Sequence, residues 1–104
     1  MESNVSPYVI FSLNNNDFIQ CAGGIKSLVV EARFYEGDSF KHFIIGKKEM
    51  SNVWHTIECK VGPIRVLGHE VLNVDEALEL FSYFYFENDI LPTYNKRNIT
   101  KQFA

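Results

Sequence analysis

The chain has 104 residues, of which 46% are hydrophobic and 22% charged, so one globular domain is expected and a disordered or low-complexity chain is disfavoured. The net charge of −3 is unevenly distributed: residues 68–91 hold six acids and no lysine or arginine, whereas residues 1–67 hold seven acids and seven bases. Because an acidic surface repels phosphate backbones, DNA and RNA are not expected as direct ligands, and a basic protein is the better candidate partner.

The N-terminal residues and the cysteines favour a cytoplasmic location. Residues 1–11 carry an acid and no basic segment, which is untypical of a secretory signal. No window approaches the roughly 18 apolar residues that a membrane span needs. In the reducing cytoplasm, Cys21 and Cys59 are expected to be thiols rather than a disulfide.

The first two thirds of the chain predict β-strands. Residues 8–13 form an apolar run that ends at the turn-forming residues 14–17, and residues 18–21 could form a short strand or a helical turn. Residues 28–35 alternate between two faces and pair with residues 40–45 across a turn. The residues expected on one face of that first strand are Leu28, Val30, Ala32 and Phe34.

A second hairpin is predicted from residues 53–61 and 64–67, which flank Gly62 and Pro63. Val53, His55, Ile57, Cys59 and Val61 are expected on one of its faces. Two consecutive hairpins predict an antiparallel meander of roughly four to six strands.

Residues 74–86 change to the period of an amphipathic helix. Asn73 and Glu76 have the spacing of a capping box at its start. Pro92 prevents the helix from continuing, and the residues after it are expected to pack back on the body as a tail. The predicted fold is therefore α+β, a single domain in which one main C-terminal helix packs on one face of the sheet. The apolar stripe predicted to meet the sheet is Val74, Ala77, Leu78, Phe81, Phe84 and Tyr85.

The histidines, cysteines and glycines of the sequence do not have the spacings of a metal-binding or catalytic site. His42, His55 and His69 lie on different predicted strands or strand ends, in none of the spacings that bring two ligands together. Cys21 has no histidine near it in sequence, and the segment Gly46-Lys47-Lys48 lacks the glycine spacing of a phosphate loop. We therefore expect no metal, no cofactor and no enzymatic activity.

The acids and rings of the helix predict a protein-binding surface instead. Two acids at the start of the helix are explained by capping and by the helix dipole, whereas the later acids are not. Exposed tyrosines beside acids are typical of surfaces that bind proteins, and acids attract a basic partner. The predicted partner-binding residues are Glu79, Tyr83, Glu87, Asp89 and Tyr94.

The segment NVDEALELFSYFYFENDILPTYNKRNIT, residues 73–100, resembles the immunity proteins of bacterial contact-dependent growth inhibition systems. The similar features are the acidic helix with Phe81 and Phe84, the I-L-P-x-Y-x-x-R segment from Ile90 to Arg97, and the Ile-Thr ending. The resemblance implies a small cytosolic antidote that binds a toxin domain, commonly a nuclease, and blocks its active-site region without doing chemistry itself.

Two other classes of function stay open at this point. One is an enzyme or small-ligand-binding domain with a pocket between helix and sheet, for which His42 and His55 are the polar residues expected to point inward. The other is an adaptor module that adds a partner's strand to an open sheet edge.

Overall fold

A five-stranded antiparallel sheet is the middle layer of the protein in the computed structural model, which describes residues 8–24, 27–59 and 62–103. The strands of the protein are β1 (Tyr8–Ser12), β2 (Phe18–Gly23), β3 (Leu28–Glu36), β4 (Ser39–Gly46), β5 (Trp54–Cys59), β6 (Gly62–Leu67) and β7 (Asn95–Asn98). The helices among the described residues are α1 (Val74–Glu87) and two 3₁₀ turns, Gly68–Glu70 and Thr100–Phe103. The main sheet has the order β1-β2-β3-β4-β7, and β5 and β6 form a separate two-stranded sheet.

The predicted α+β architecture is confirmed, since α1 packs on one face of the antiparallel sheet. The ambiguous residues 18–21 belong to strand β2. The second predicted hairpin, β5–β6, forms but packs against the other face of the sheet, and β7 from the predicted tail pairs with β4. The face predicted for Val61 and the predictions made for residues 1–7 concern residues outside those that the structure describes.

Strand β3 contributes to both sides of the sheet because its side chains alternate. Leu28, Val30 and Ala32 are buried in the core between the sheet and α1, as predicted. Val29 is buried on the other side, with Ile57 and other residues of a second apolar cluster. The sheet is therefore covered on both faces, by α1 on one and by the β5–β6 hairpin on the other.

The stripe predicted for α1 is partly wrong. Ala77 and Phe84 are buried as expected and Phe81 is partly buried against the core. The other three members are exposed: Val74 by 37%, Leu78 by 60% and Tyr85 by 59%. Leu80, which the stripe omitted, is fully buried. The helix is thus rotated about its axis towards Leu80. The sequence supports several phases because α1 has more apolar residues than one face can bury.

The face of β5 that was predicted to be apolar is buried in part. Ile57 is buried and Cys59 is half-buried, but Val53 and His55 are exposed, so the face predicted for this strand is buried only in part. Among the described residues, no helix is long and apolar enough to cross a membrane.

Candidate protein-binding surface

Both ends of α1 are capped by side chains or backbone close in sequence. At the start, the Glu76 N–H donates to Asn73 Oδ1 and the Asn73 N–H donates to Glu76 Oε1, each at 2.9 Å, so the predicted capping box is confirmed. At the other end, Asn88 adopts the left-handed conformation with φ 54° and donates its N–H to the Phe84 carbonyl. These caps fix where the helix begins and ends.

The C-terminal cap also ties α1 to the strands. Asn88 Nδ2 donates to Asp17 Oδ2 at 3.1 Å, and Asn15 Nδ2 donates to Asn88 Oδ1 at 2.8 Å. Asp17 is buried, and its other oxygen accepts the Tyr35 N–H at 2.7 Å. These hydrogen bonds to the β1–β2 turn and to β3 therefore fix the orientation of α1. The orientation in turn determines which residues of α1 face outward.

The outward side of α1 combines acids with apolar side chains. Phe86 is 76% exposed and is the most exposed large apolar residue among those described. Tyr85 lies beside it, and Leu78, about two turns earlier in the helix, is also exposed. By helical spacing, Asp75, Glu79 and Phe86 follow one line along the outside. We call this region the acidic helix surface; its residues are Asp75, Leu78, Glu79, Ser82, Tyr85, Phe86, Glu87 and Asp89.

A shallow depression of about 260 Å³ lies at the aromatic side of this surface, lined by Phe11, Phe81, Ser82, Tyr85 and Phe86. The Tyr85 ring lies 5.6 Å from that of Phe11 and 4.9 Å from that of Phe86, the latter edge-on. Aromatic rings that are held by their neighbours lose little rotamer entropy on binding. The depression can therefore accept a side chain from a partner at low entropic cost.

The charges of the acidic helix surface are not neutralised within the described chain. Lys47 Nζ lies 3.8 Å from Glu76 Oε2, at the edge of the surface. No base lies in the last turn of α1, where the helix dipole favours a cation, yet Glu87 is there. An acid in that position opposes local stability, as functional residues often do.

The five residues predicted from sequence to bind a partner are only partly gathered. Tyr94 Oη donates to Glu79 Oε1 at 2.7 Å, so these two are in contact although 15 residues separate them. Glu87 and Asp89 are exposed at the C-terminal end of α1, and Asp89 accepts the N–H of Ile90. Tyr83 is half-buried.

Burial and the contact with Glu79 both act on Tyr94. Burial, followed by the hydrogen bond and charge of Glu79, raises the pKa of the Tyr94 phenol well above its usual range. Tyr94 therefore stays protonated and keeps donating to Glu79 at neutral pH.

Sequence reasoning missed Leu78, Tyr85 and Phe86 as surface residues. The surplus of apolar residues in α1 was the available signal.

Arg97, the last polar residue of the I-L-P-x-Y-x-x-R segment, is bound to a buried carboxylate. Its Nε and Nη2 donate to the two oxygens of Glu70 at 2.8 and 2.9 Å, and Glu70 is fully buried. The Leu67 N–H donates to the same carboxylate at 2.8 Å. The hydrogen bond with Glu70 raises the pKa of Arg97, so the guanidinium stays charged. This pair joins β7 to the 3₁₀ turn after β6.

His42 has both ring nitrogens occupied on the opposite face of the sheet. The Arg33 Nε–H donates to His42 Nδ1 at 3.0 Å, and since arginine cannot accept, Nδ1 is the unprotonated nitrogen. Nε2 therefore carries the proton and donates to Glu31 Oε1 at 2.5 Å. His42 is buried and holds two charged side chains in place, which leaves no nitrogen for a metal ion or a substrate proton.

The other histidines also do not form a centre. His69 is buried and accepts the Ser51 N–H at Nδ1, while His55 is exposed on β5. The inward-pointing His55 expected for a helix–sheet pocket is therefore wrong. Gly46 packs so closely on His69 that an added Cβ would lie 2.6 Å from a ring carbon, which explains the glycine without a phosphate loop. Within the described ranges, no three His, Cys, Asp or Glu side chains are grouped to hold a metal.

The two cysteines are free and lie on different sides of the sheet. Cys21 is in the core under α1, and Cys59 packs with the cluster under the hairpin. Burial raises the pKa of both thiols, and the charges of Glu31 and Glu58 raise that of Cys59 further. Neither thiol has the lowered pKa of an activated nucleophile.

Comparison with protein-family models, with curated proteins and with solved structures finds no match for this chain. The residues of the chain and their geometry are therefore the grounds for proposing a function.

Proposed function

We propose that this protein binds a basic protein domain through the acidic helix surface and neutralises it, in the way that an immunity protein neutralises its toxin. The observation that carries the proposal is the exposure of Leu78, Tyr85 and Phe86 beside acids that have no basic partner in the described chain. Exposed apolar groups framed by charge are typical of protein-binding surfaces.

The aromatic residues and the acidic residues of the surface contribute to binding in different ways. Tyr85 and Phe86, with the depression beside them, provide the contact area that dominates affinity. A lysine or arginine of the partner can enter the depression, where its cation meets the faces of the rings. Glu79, Glu87 and Asp89 attract the basic partner over a longer range and raise the rate of encounter.

A nuclease toxin is the partner class that fits these features best. A nuclease has to approach phosphates and tends to expose a basic cleft, so an acidic surface can cover that cleft and exclude the nucleic acid. The resemblance of residues 73–100 to contact-dependent growth inhibition immunity proteins supports the same class, and a cytoplasmic location follows for an antidote of this kind. Tyr94 of that segment donates to Glu79, so it helps to hold one acid of the surface, whereas Arg97 binds Glu70 on the opposite face of the sheet.

The proposal is tested with the protein encoded beside this gene. We expect that protein to arrest growth when expressed alone and to be tolerated when this chain is co-expressed. The purified pair should form a complex whose association rate falls as ionic strength rises, because salt screens the attraction. The decisive variant is the triple change Glu79→Lys, Glu87→Lys and Asp89→Lys, which should slow association and weaken its dependence on salt.

A matched control changes the same amount of charge elsewhere. Asp38, Glu49 and Glu58 are exposed and lie outside α1, and Glu58 is on the hairpin that covers the opposite face of the sheet. Changing all three to lysine alters the net charge from −3 to +3, as the first triple change does, because each substitution adds two charges. The control should associate faster than the α1 variant. Equal association rates for both variants and the wild type would contradict the acidic helix surface as the binding site.

A further inference from the structure

A half-open cleft lies on the face of the sheet opposite α1, between the β5–β6 hairpin and the C-terminal 3₁₀ turn. Its volume is about 650 Å³, within the usual range for sites that bind small molecules. Ala22, Val29 and Ile44 contribute apolar lining, and Phe103 borders it. The cleft is separated from the acidic helix surface by the whole thickness of the sheet.

Two guanidinium groups are held in this cleft by the same indole. The Cζ atoms of Arg65 and Arg97 lie 5.3 and 5.5 Å from the Trp54 ring centroid, within cation–π distance. Glu70 balances the charge of Arg97. Arg65 is exposed and has no carboxylate partner among the described residues, so this side of the cleft carries a net positive charge.

A carboxylate lines the same cleft from the sheet. Glu31 is only 8% exposed, and its Oε1 takes the hydrogen bonds from His42 and, at 3.5 Å, from Gln20 Nε2. Its Oε2 accepts no hydrogen bond from the described chain. A buried carboxylate oxygen without a donor is unfavourable, and a ligand that brings an N–H or O–H group would remove that cost.

We propose that this cleft binds a small organic anion that has an apolar body and a hydrogen-bond donor at the end remote from its charge. The anionic group, a carboxylate or a phosphate, pairs with Arg65 and with the hydrogens of Arg97 that Glu70 does not use. The body lies against Val29, Ile44 and the neighbouring apolar lining. The donor group binds Oε2 of Glu31.

The sole tryptophan of the chain supplies the measurement. Trp54 lines the cleft, so its indole N–H resonance in a ¹⁵N-labelled sample reports occupancy directly. The probes are 4-aminobenzoate, for a carboxylate source, and guanosine 5′-monophosphate, for a phosphate source. Benzoate and guanosine are their matched controls, since the first lacks the donor and the second lacks the anion. We expect each control to bind about tenfold more weakly than its probe.

Two protein variants distinguish a specific contact of the ligand with Arg65 from a general effect of the net charge of the protein. Arg65→Gln should lower the affinity for the tighter-binding probe by about tenfold, because one charge-assisted contact is lost. Lys48→Gln removes the same charge from an exposed residue that does not line the cleft, and should bind as the wild type does. Both variants should keep the wild-type urea midpoint.

Two results would overturn the proposal. One is an indole resonance that none of the probes shifts at millimolar concentration. The other is equal affinity of Arg65→Gln and Lys48→Gln for the tighter-binding probe. If only the carboxylate or only the phosphate probe binds, the proposal holds and the ligand class is narrowed to that source. Because the site is independent of α1, its failure would leave the toxin-binding proposal untouched.

Discussion

Tyr94 donates its phenolic hydrogen to Oε1 of Glu79 at 2.7 Å, and this bond joins the segment after Pro92 to the outside of α1. The contact links an acid and a ring that the sequence had already suggested for one surface. It also gives Glu79 a structural role besides any role in binding.

Tyr94→Phe should lower the free energy of unfolding by about 1 kcal/mol at pH 8, because the hydrogen bond to Glu79 is lost. The pKa of Tyr94 is raised in the folded protein, so its contribution is complete below the unfolded value of about 10 and is lost as pH rises from there towards the raised value. Urea denaturation at pH 8 and near pH 11 measures the difference between wild type and variant, which should shrink at the higher pH. Tyr83→Phe, which removes no hydrogen bond to the described residues, is the control; a pH-independent difference for Tyr94→Phe would refute the assignment.

Arg97→Met should destabilise the protein by about 3–5 kcal/mol, because it leaves the fully buried Glu70 carboxylate without its cation. The substitution Glu70→Gln in that background should recover part of the loss, since an amide tolerates burial better than a charge and can still accept the Leu67 N–H. Urea denaturation of the two single variants and the double variant tests this. A loss of less than about 1 kcal/mol for Arg97→Met would mean that Glu70 finds another partner or water.

The orientation of α1 is tested by a pair of equal truncations. Leu80→Ala should cost about 2–5 kcal/mol because Leu80 is completely buried, whereas Leu78→Ala, at a residue 60% exposed, should stay within about 0.5 kcal/mol. Both variants carry the same loss of atoms in the same helix, so differences in helix propensity cancel. Thermal or urea unfolding measures both, and similar costs at the two positions would show that the helix phase is different.

Phe86→Ala should weaken binding to the proposed toxin partner by about tenfold or more while leaving the free energy of unfolding within about 0.5 kcal/mol. The reason is that Phe86 is 76% exposed and borders the aromatic depression. Met50→Ala truncates another exposed apolar residue, 67% exposed and outside α1, and should leave the affinity unchanged. Surface-based binding assays compare the affinities of the two variants. Equal affinities would show that the ring of Phe86 is not part of the interface.

Several features of the candidate surface could be predicted from the sequence because they depend on residues that are close together along the chain. The Asn73–Glu76 capping box involves residues three apart, and the acids of α1 were recognised by their lack of nearby bases. The burial of Leu78 was misjudged because the apolar spacing of α1 is compatible with more than one phase. Only contact with Phe11 and the sheet decides which rings stay outside.

The types of most elements, the capping box at the start of α1 and the alternation of β3 could be predicted from the sequence, since these follow from side-chain periods and hydrogen bonds over a few residues. The position of the β5–β6 hairpin on the second face and the pairing of β7 with β4 could not be predicted from local sequence and are seen only in the folded chain. The same holds for the pairing of Asn88 with Asp17, 71 residues away, and of Arg97 with Glu70, 27 residues away. The physical reason is that such contacts are selected by the packing of the whole chain, and no local pattern of residues records which distant partner satisfies a buried charge.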